Sequence, residues 1–126
     1  MPGDMDTLYV RACVRKNMDI QYAIPAFQDV VLEFVEDHHL EIDVPYRMLD
    51  LVSELGEVAK EVLKSSHYGI TRFMPENRWE DEMGDLFFSL ICLANSTGVN
   101  LEEALNTVLQ KYENRLIAKD DDESDE

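Results

Sequence analysis

Glu54 and Glu57 stand three residues apart, as do Glu82 and Asp85, and each pair borders the apolar stripe of a segment with helical periodicity. A carboxylate at the edge of a core is costly to desolvate unless a partner neutralises it, and the nearby basic residues are too few and wrongly phased to serve all four. A divalent cation would serve them together. Hard oxygen donors select Mg²⁺ or Mn²⁺ over zinc, and Mg²⁺ keeps waters and recruits substrate phosphates, so the pattern points to phosphate chemistry. One E-x-x-E pair on a helix is more often a solvated face than a ligand set. Two pairs in register on neighbouring helices carry the functional reading.

The elements that must position these acids are helical. Phe27, Val30, Val31, Phe34 and Val35 predict a first helix from about Pro25 to His38-His39-Leu40. Pro45 opens a second, which runs through Leu51, Leu55, Val58 and Val62 and stops at Ser65-Ser66 and Gly69. Residues 65–75 read as a connecting loop or lid. A third helix is expected from near Glu76 to about Ala94, before the Asn95-Ser96-Thr97-Gly98 stop signal. Asn100 caps a fourth, with Glu103 as its capping-box partner and Leu101, Leu105, Val108, Tyr112 and Leu116 on its buried side.

In projection, Leu51, Val52, Leu55, Val58, Ala59 and Val62 share the core face of the second helix. Asp50, Glu54, Glu57 and Glu61 line its border, and Lys60 and Lys64 lie farther toward solvent. The third helix repeats this, with Trp79, Met83, Leu86, Phe87, Leu90 and Ala94 apolar and Arg78, Glu82, Asp85 and Ser89 bordering. Packed antiparallel, the two acidic stripes face one another. The run Leu86 to Leu93 is apolar nearly all round, which in a chain this small calls for cover from a second subunit.

The fold class expected is all-α, a bundle of four to five helices completed by oligomerisation. An N-terminal arm covers residues 1–20, the helical domain residues 21–118 and a disordered acidic tail residues 119–126. Twenty-seven acidic against eleven basic residues, a formal charge of -16, argue against nucleic-acid or membrane partners. Cys13 and Cys92 form no C-x-x-C pair, so neither a disulfide framework nor a zinc site is expected and a reducing cytoplasm fits. No secretory signal or bilayer-spanning run is evident. A G-x-x-x-x-G-K-[ST] loop is absent, which excludes a P-loop enzyme at motif level.

Leu51-Val-Ser-Glu-Leu-Gly-Glu57 followed by Glu82-Met-Gly-Asp85 resembles the metal motifs, E-E-x-x-E then E-x-x-D, of the MazG-like all-α nucleoside triphosphate pyrophosphohydrolases. The similarity extends through Gly98-Val-Asn-Leu-Glu-Glu-Ala104 and Lys111-x-x-x-Arg115, and covers about Phe27 to Arg115. Ser53 departs from the pattern, standing where the family usually shows the first Glu; Asp50 or Glu61 could compensate on the same stripe. The resemblance implies Mg²⁺-dependent hydrolysis of a (d)NTP to the (d)NMP and pyrophosphate by a homodimer or homotetramer, with Mn²⁺ as the alternative ion. It implies Glu54, Glu57, Glu82 and Asp85 as metal ligands, with Glu54 or Glu57 also taking the proton of the attacking water. The physiological role implied is nucleotide-pool cleaning.

Lys111 and Arg115, at i and i+4, either grip the β and γ phosphates or are ordinary cations near a helix C-terminus. Lys60, Lys64 and Arg78 are weaker phosphate candidates. Trp79 either stacks on a base or packs, while Tyr68 and Phe73 on the loop are freer to reach one. Three other readings compete: a phosphoribosyl-ATP pyrophosphohydrolase of the same superfamily, a carboxylate-bridged di-iron bundle, and a non-catalytic acidic helical interaction module. The di-iron reading lacks the Glu-x-x-His motifs it needs.

Overall fold

The computed structural model describes the backbone of residues 23–123 and the side chains of residues 26–120. Four α-helices follow one another: α1 (Ala23–Asp37), α2 (Val44–Ser65), α3 (Arg78–Ser96) and α4 (Leu101–Glu123). No strand occurs among the described residues, so the all-α expectation holds. The predicted N-terminal arm lies outside the described residues.

The ends of the helices follow from local chemistry. Pro25 and Pro45 each occupy a first turn, where the missing N–H would have no helical partner in any case. α1 stops as His39 turns left-handed at φ 53° and the Leu40 N–H bonds back to the Val35 carbonyl at 3.0 Å. α2 ends in a left-handed run, His67, Tyr68 and Gly69, with the Tyr68 N–H donating to Leu63 O at 2.7 Å. α3 begins at Arg78, two residues later than expected, because the Trp79 N–H closes a tighter turn onto Glu76 O at 2.9 Å. It ends at Ser96, and just beyond it Gly98 takes a φ of 68° that suits a residue without Cβ, while the Val99 N–H bonds to Ala94 O at 2.9 Å.

Phe27–Val99 is one compact unit, and α4 belongs to another. Within the first, α2 packs closely on α3. Helix α1 meets α3 through two edge-to-face ring pairs, Phe27 with Phe87 at 5.9 Å and Phe34 with Phe88 at 6.1 Å. Neutral amides add to this. Gln28 Nε2 donates to Asn95 Oδ1 at 3.0 Å and to Val99 O at 2.8 Å, while Asn95 Nδ2 donates to Gln28 O at 3.0 Å. The Arg47 guanidinium, buried at the start of α2, donates to Leu40 O and so fastens the linker from α1.

The rotation of α2 and α3 corrects the sequence projection. On α2 the buried residues are Arg47, Val58, Glu61 and Ser65, and Glu54 is half-buried in the same stripe. On α3 they are Glu82, Ser89, Ile91, Cys92 and Ala94. Glu61, Glu82 and Ser89, placed at the border, are therefore turned inward, while Asp50, Arg78 and Asp85 of the same stripes stay exposed. Of the apolar stripe expected in the core, Val58 and Ala94 are buried, but the rest looks outward: Val52 and Leu55 are 53% and 55% exposed, and Phe87 and Leu90 are 43% and 39% exposed. Small and polar side chains allow the two helices to approach closely, and the bulky apolar residues are left on the adjoining faces.

In α4 the expected cap is present, the Glu103 N–H donating to Asn100 Oδ1 at 3.1 Å. One expectation changes there: Leu105, Tyr112 and Leu116 are exposed rather than buried. The helix runs to Glu123, since no Gly or Pro interrupts residues 101–123 and an established helix propagates through acids more easily than it starts.

Candidate metal centre

Helices α2 and α3 run antiparallel. Arg47 lies near Cys92, Glu54 near Glu82 and Asp85, and Glu61 beside Arg78, so ascending numbers on one helix meet descending numbers on the other. At the middle of this seam carboxylate oxygens of Glu54, Glu82 and Asp85 all lie within 4.8 Å of one another. Glu54 is half-buried, Glu82 is only 5% exposed, and Asp85 opens to solvent. Three of the four carboxylates singled out by spacing are thus brought together by two different helices.

Glu57 stands outside that trio, one turn along α2, where the Lys60 ammonium contacts its Oε1 at 3.3 Å. Lys60 is largely exposed and Glu57 half-exposed, so the pair contributes about 0.2–1 kcal/mol and is easily given up. Glu61, buried, is paired with Lys64 at 3.8 Å. Ser53, the departure from the family pattern, is exposed on the outer side of α2. Trp79 is half-buried and meets Phe73 of the preceding loop edge-on at 5.1 Å, which is a packing contact. Lys111 and Arg115 lie on one face of α4, with Nζ 5.3 Å and Cζ 6.0 Å from the Tyr112 ring centre. Sequence reasoning missed one partner: Arg78 Nη2 donates to Glu82 Oε1 at 3.1 Å, and the i, i+4 spacing was the available signal.

Electrostatics mark Glu54 as the focus of the cluster. Burial raises its carboxyl above the ordinary 4.5, and repulsion from Asp85, Glu82, Asp50 and Glu57 raises it further. The folded state therefore holds this proton more tightly than the unfolded chain does. Its contribution to stability is complete at low pH and is lost as pH rises from 4.5 through the raised value. Thermal midpoints of metal-free wild type and Glu54→Gln should nearly coincide at low pH and separate above it, the variant being more stable. Midpoints that track one another at every pH would dismiss the repulsion.

The donor set suits a hard cation. All three groups offer carboxylate oxygens, and among the described residues no histidine or cysteine joins the cluster. Like charges this close oppose one another unless a proton or a cation intervenes, and that opposition adds to burial in raising Glu54.

A family model, the MazG nucleotide pyrophosphohydrolase domain, matches residues 46–116, which include α2 from its third residue, all of α3, and Lys111 and Arg115. The uncharacterised YpjD protein of Bacillus subtilis (strain 168) is 41% identical over 71 residues, 54% of this chain and 62% of that protein, so the match spans less than two thirds of that relative. Among solved structures, the Bacillus-conserved MazG protein, a nucleotide pyrophosphohydrolase, superposes with a TM-score of 0.60 at 32% identity, over 71% of this chain and 87% of its own. The crystal structure of YpjD from Bacillus subtilis gives 0.59 at 33% identity, over 71% and 91%.

Proposed function

Because the chain belongs to the MazG nucleotide pyrophosphohydrolase domain family, we propose that it hydrolyses (d)NTPs between the α and β phosphates, releasing the (d)NMP and pyrophosphate with Mg²⁺, or Mn²⁺ in its place. The observation that carries this reading is the trio of carboxylates within 4.8 Å across the α2–α3 seam. Glu54, Glu82 and Asp85 would hold the ion, and Glu57 would join them by releasing Lys60. When bound, Mg²⁺ supplies neutralisation of phosphate charge and orientation of the attacking water.

The remaining roles fall to this chain's own groups. Glu54 and Glu57 are the two candidates to accept the proton of the water, one turn apart on α2. Lys111 and Arg115 would grip the β and γ phosphates and stabilise the charge that develops on the leaving pyrophosphate. Lys60 and Trp79 are secondary contacts to substrate. A homodimer or homotetramer in the cytoplasm, with neither nucleic acid nor membrane as partner, completes the reading. The charge of -16 opposes anionic polymers, and no helix among the described residues is long and apolar enough to cross a membrane. Cleaning of the nucleotide pool is the role this activity suits.

Product identity tests the proposal. Purified protein incubated with a panel of (d)NTPs and with phosphoribosyl-ATP should yield monophosphate products and pyrophosphate, and EDTA should stop the release until Mg²⁺ is restored. Orthophosphate with a nucleoside diphosphate, or turnover indifferent to EDTA, would overturn it. A preference for phosphoribosyl-ATP would move the assignment within the superfamily.

A further inference from the structure

Arg78 is oddly placed for an ordinary surface charge. It is the first residue of α3, where the helix dipole disfavours a cation, and Glu80 and Asp81 beside it show the charge that this end prefers. As a helix-stabilising pair, Arg78 with Glu82 also has the weaker order, the base preceding the acid by four residues. Helix stability alone does not account for it. The contact it makes does: the guanidinium is largely exposed, yet Nη2 reaches 3.1 Å from Oε1 of Glu82, the most buried member of the carboxylate trio. No other described cation pairs with a member of that trio. The position of Arg78 is itself fixed from the loop side, since Phe73 packs on the adjacent Trp79 and the Trp79 N–H is tied to Glu76 O.

We propose that Arg78 is a positioning residue for the metal centre: it holds the buried Glu82 carboxylate in the cluster and offsets part of the repulsion there, so that the site is assembled before the cation arrives. This rests on the reading of the trio as metal ligands. A residue that orients a ligand without touching the ion typically changes metal affinity by about 10–100-fold when removed. A planar guanidinium does this better than an ammonium, because its fork fixes the plane of the carboxylate it meets.

The test is Mn²⁺ binding to metal-free full-length protein, followed by the EPR signal of free Mn²⁺ well below the thermal midpoint, with circular dichroism to show that each variant is folded. Arg78→Gln should weaken binding about tenfold. Arg78→Lys should recover part of it, and Arg78→Met, which keeps the aliphatic stem, should behave as Gln does and replaces it if Gln does not fold. Turnover lost at low Mg²⁺ should return at high Mg²⁺, with kcat little changed. Affinity equal to wild type shows a merely structural Arg78, and tighter binding shows one that competes with the cation; either result overturns the inference and leaves the metal site standing. Wild-type protein that binds no Mn²⁺ removes the metal site and this inference with it.

Discussion

Glu54→Gln should reduce Mg²⁺-dependent pyrophosphate release about a thousandfold or more, while metal-free protein becomes more stable rather than less. The amide keeps the shape of the side chain and removes the negative charge at the point where Asp85, Glu82, Asp50 and Glu57 all press on it. Losing the charge stabilisation that a held cation provides is an effect of several kcal/mol, and about 4 kcal/mol corresponds to three decades in rate. Most substitutions at packed positions destabilise, so a gain in thermal midpoint together with a loss of turnover excludes misfolding as the cause. Steady-state pyrophosphate release and metal-free melting curves, taken on the same preparations, give both numbers. Asp85→Asn and Glu57→Gln should likewise fold and lose most activity. If Glu57→Gln keeps Mn²⁺ affinity while turnover falls, the proton acceptor is Glu57. A non-catalytic helical module would show the gain in stability with no turnover to lose.

Leu55→Asp should convert an oligomer into a monomer at micromolar concentration, weakening self-association about thirtyfold or more. Met48, Val52, Leu55 and Val62 form an outward apolar stripe on α2, and Met83, Phe87 and Leu90 form another on α3. The proposed homodimer or homotetramer would cover this exposed apolar surface, and a charge placed at the centre of such an interface typically costs 2 kcal/mol or more of association, roughly a thirtyfold change. Leu55 is 55% exposed in the single chain, so the substitution leaves the seam between α2 and α3 intact. Sedimentation of wild type and variant, with Glu80→Gln as a surface control, reads the result. A wild type that sediments as a monomer would end the proposal of a homodimer or homotetramer.

These two predictions draw on opposite faces of the same helices, and the sequence distinguished those faces only in part. Periodicity, Pro45, Gly98 and the Asn100–Glu103 cap were legible because each acts through a few neighbouring backbone groups. The carboxylate spacing was legible for the same reason: three residues along a helix is a local property. Rotation about the helix axis was not. Hydrophobic patterning identifies the face that most needs cover without saying whether its own chain supplies that cover, and here Val52, Leu55, Phe87 and Leu90 remain open while Glu82 and Glu61 turn inward. The contact between Glu57 and Lys60 depends on side-chain rotamers, and the pairing of Gln28 with Asn95 joins residues 67 positions apart that no pattern of a single chain brings together.

That last pairing divides the first unit by its response to solvent. Carboxamides neither gain nor lose protons across the biological range, and a dipole pair answers weakly to dissolved ions. The acidic seam is sensitive to both. Acidification or added electrolyte will therefore alter the interior of the α2–α3 pair and leave the fastening of α1 to the end of α3 as it was, giving the molecule a neutral anchorage against which its charged half can relax.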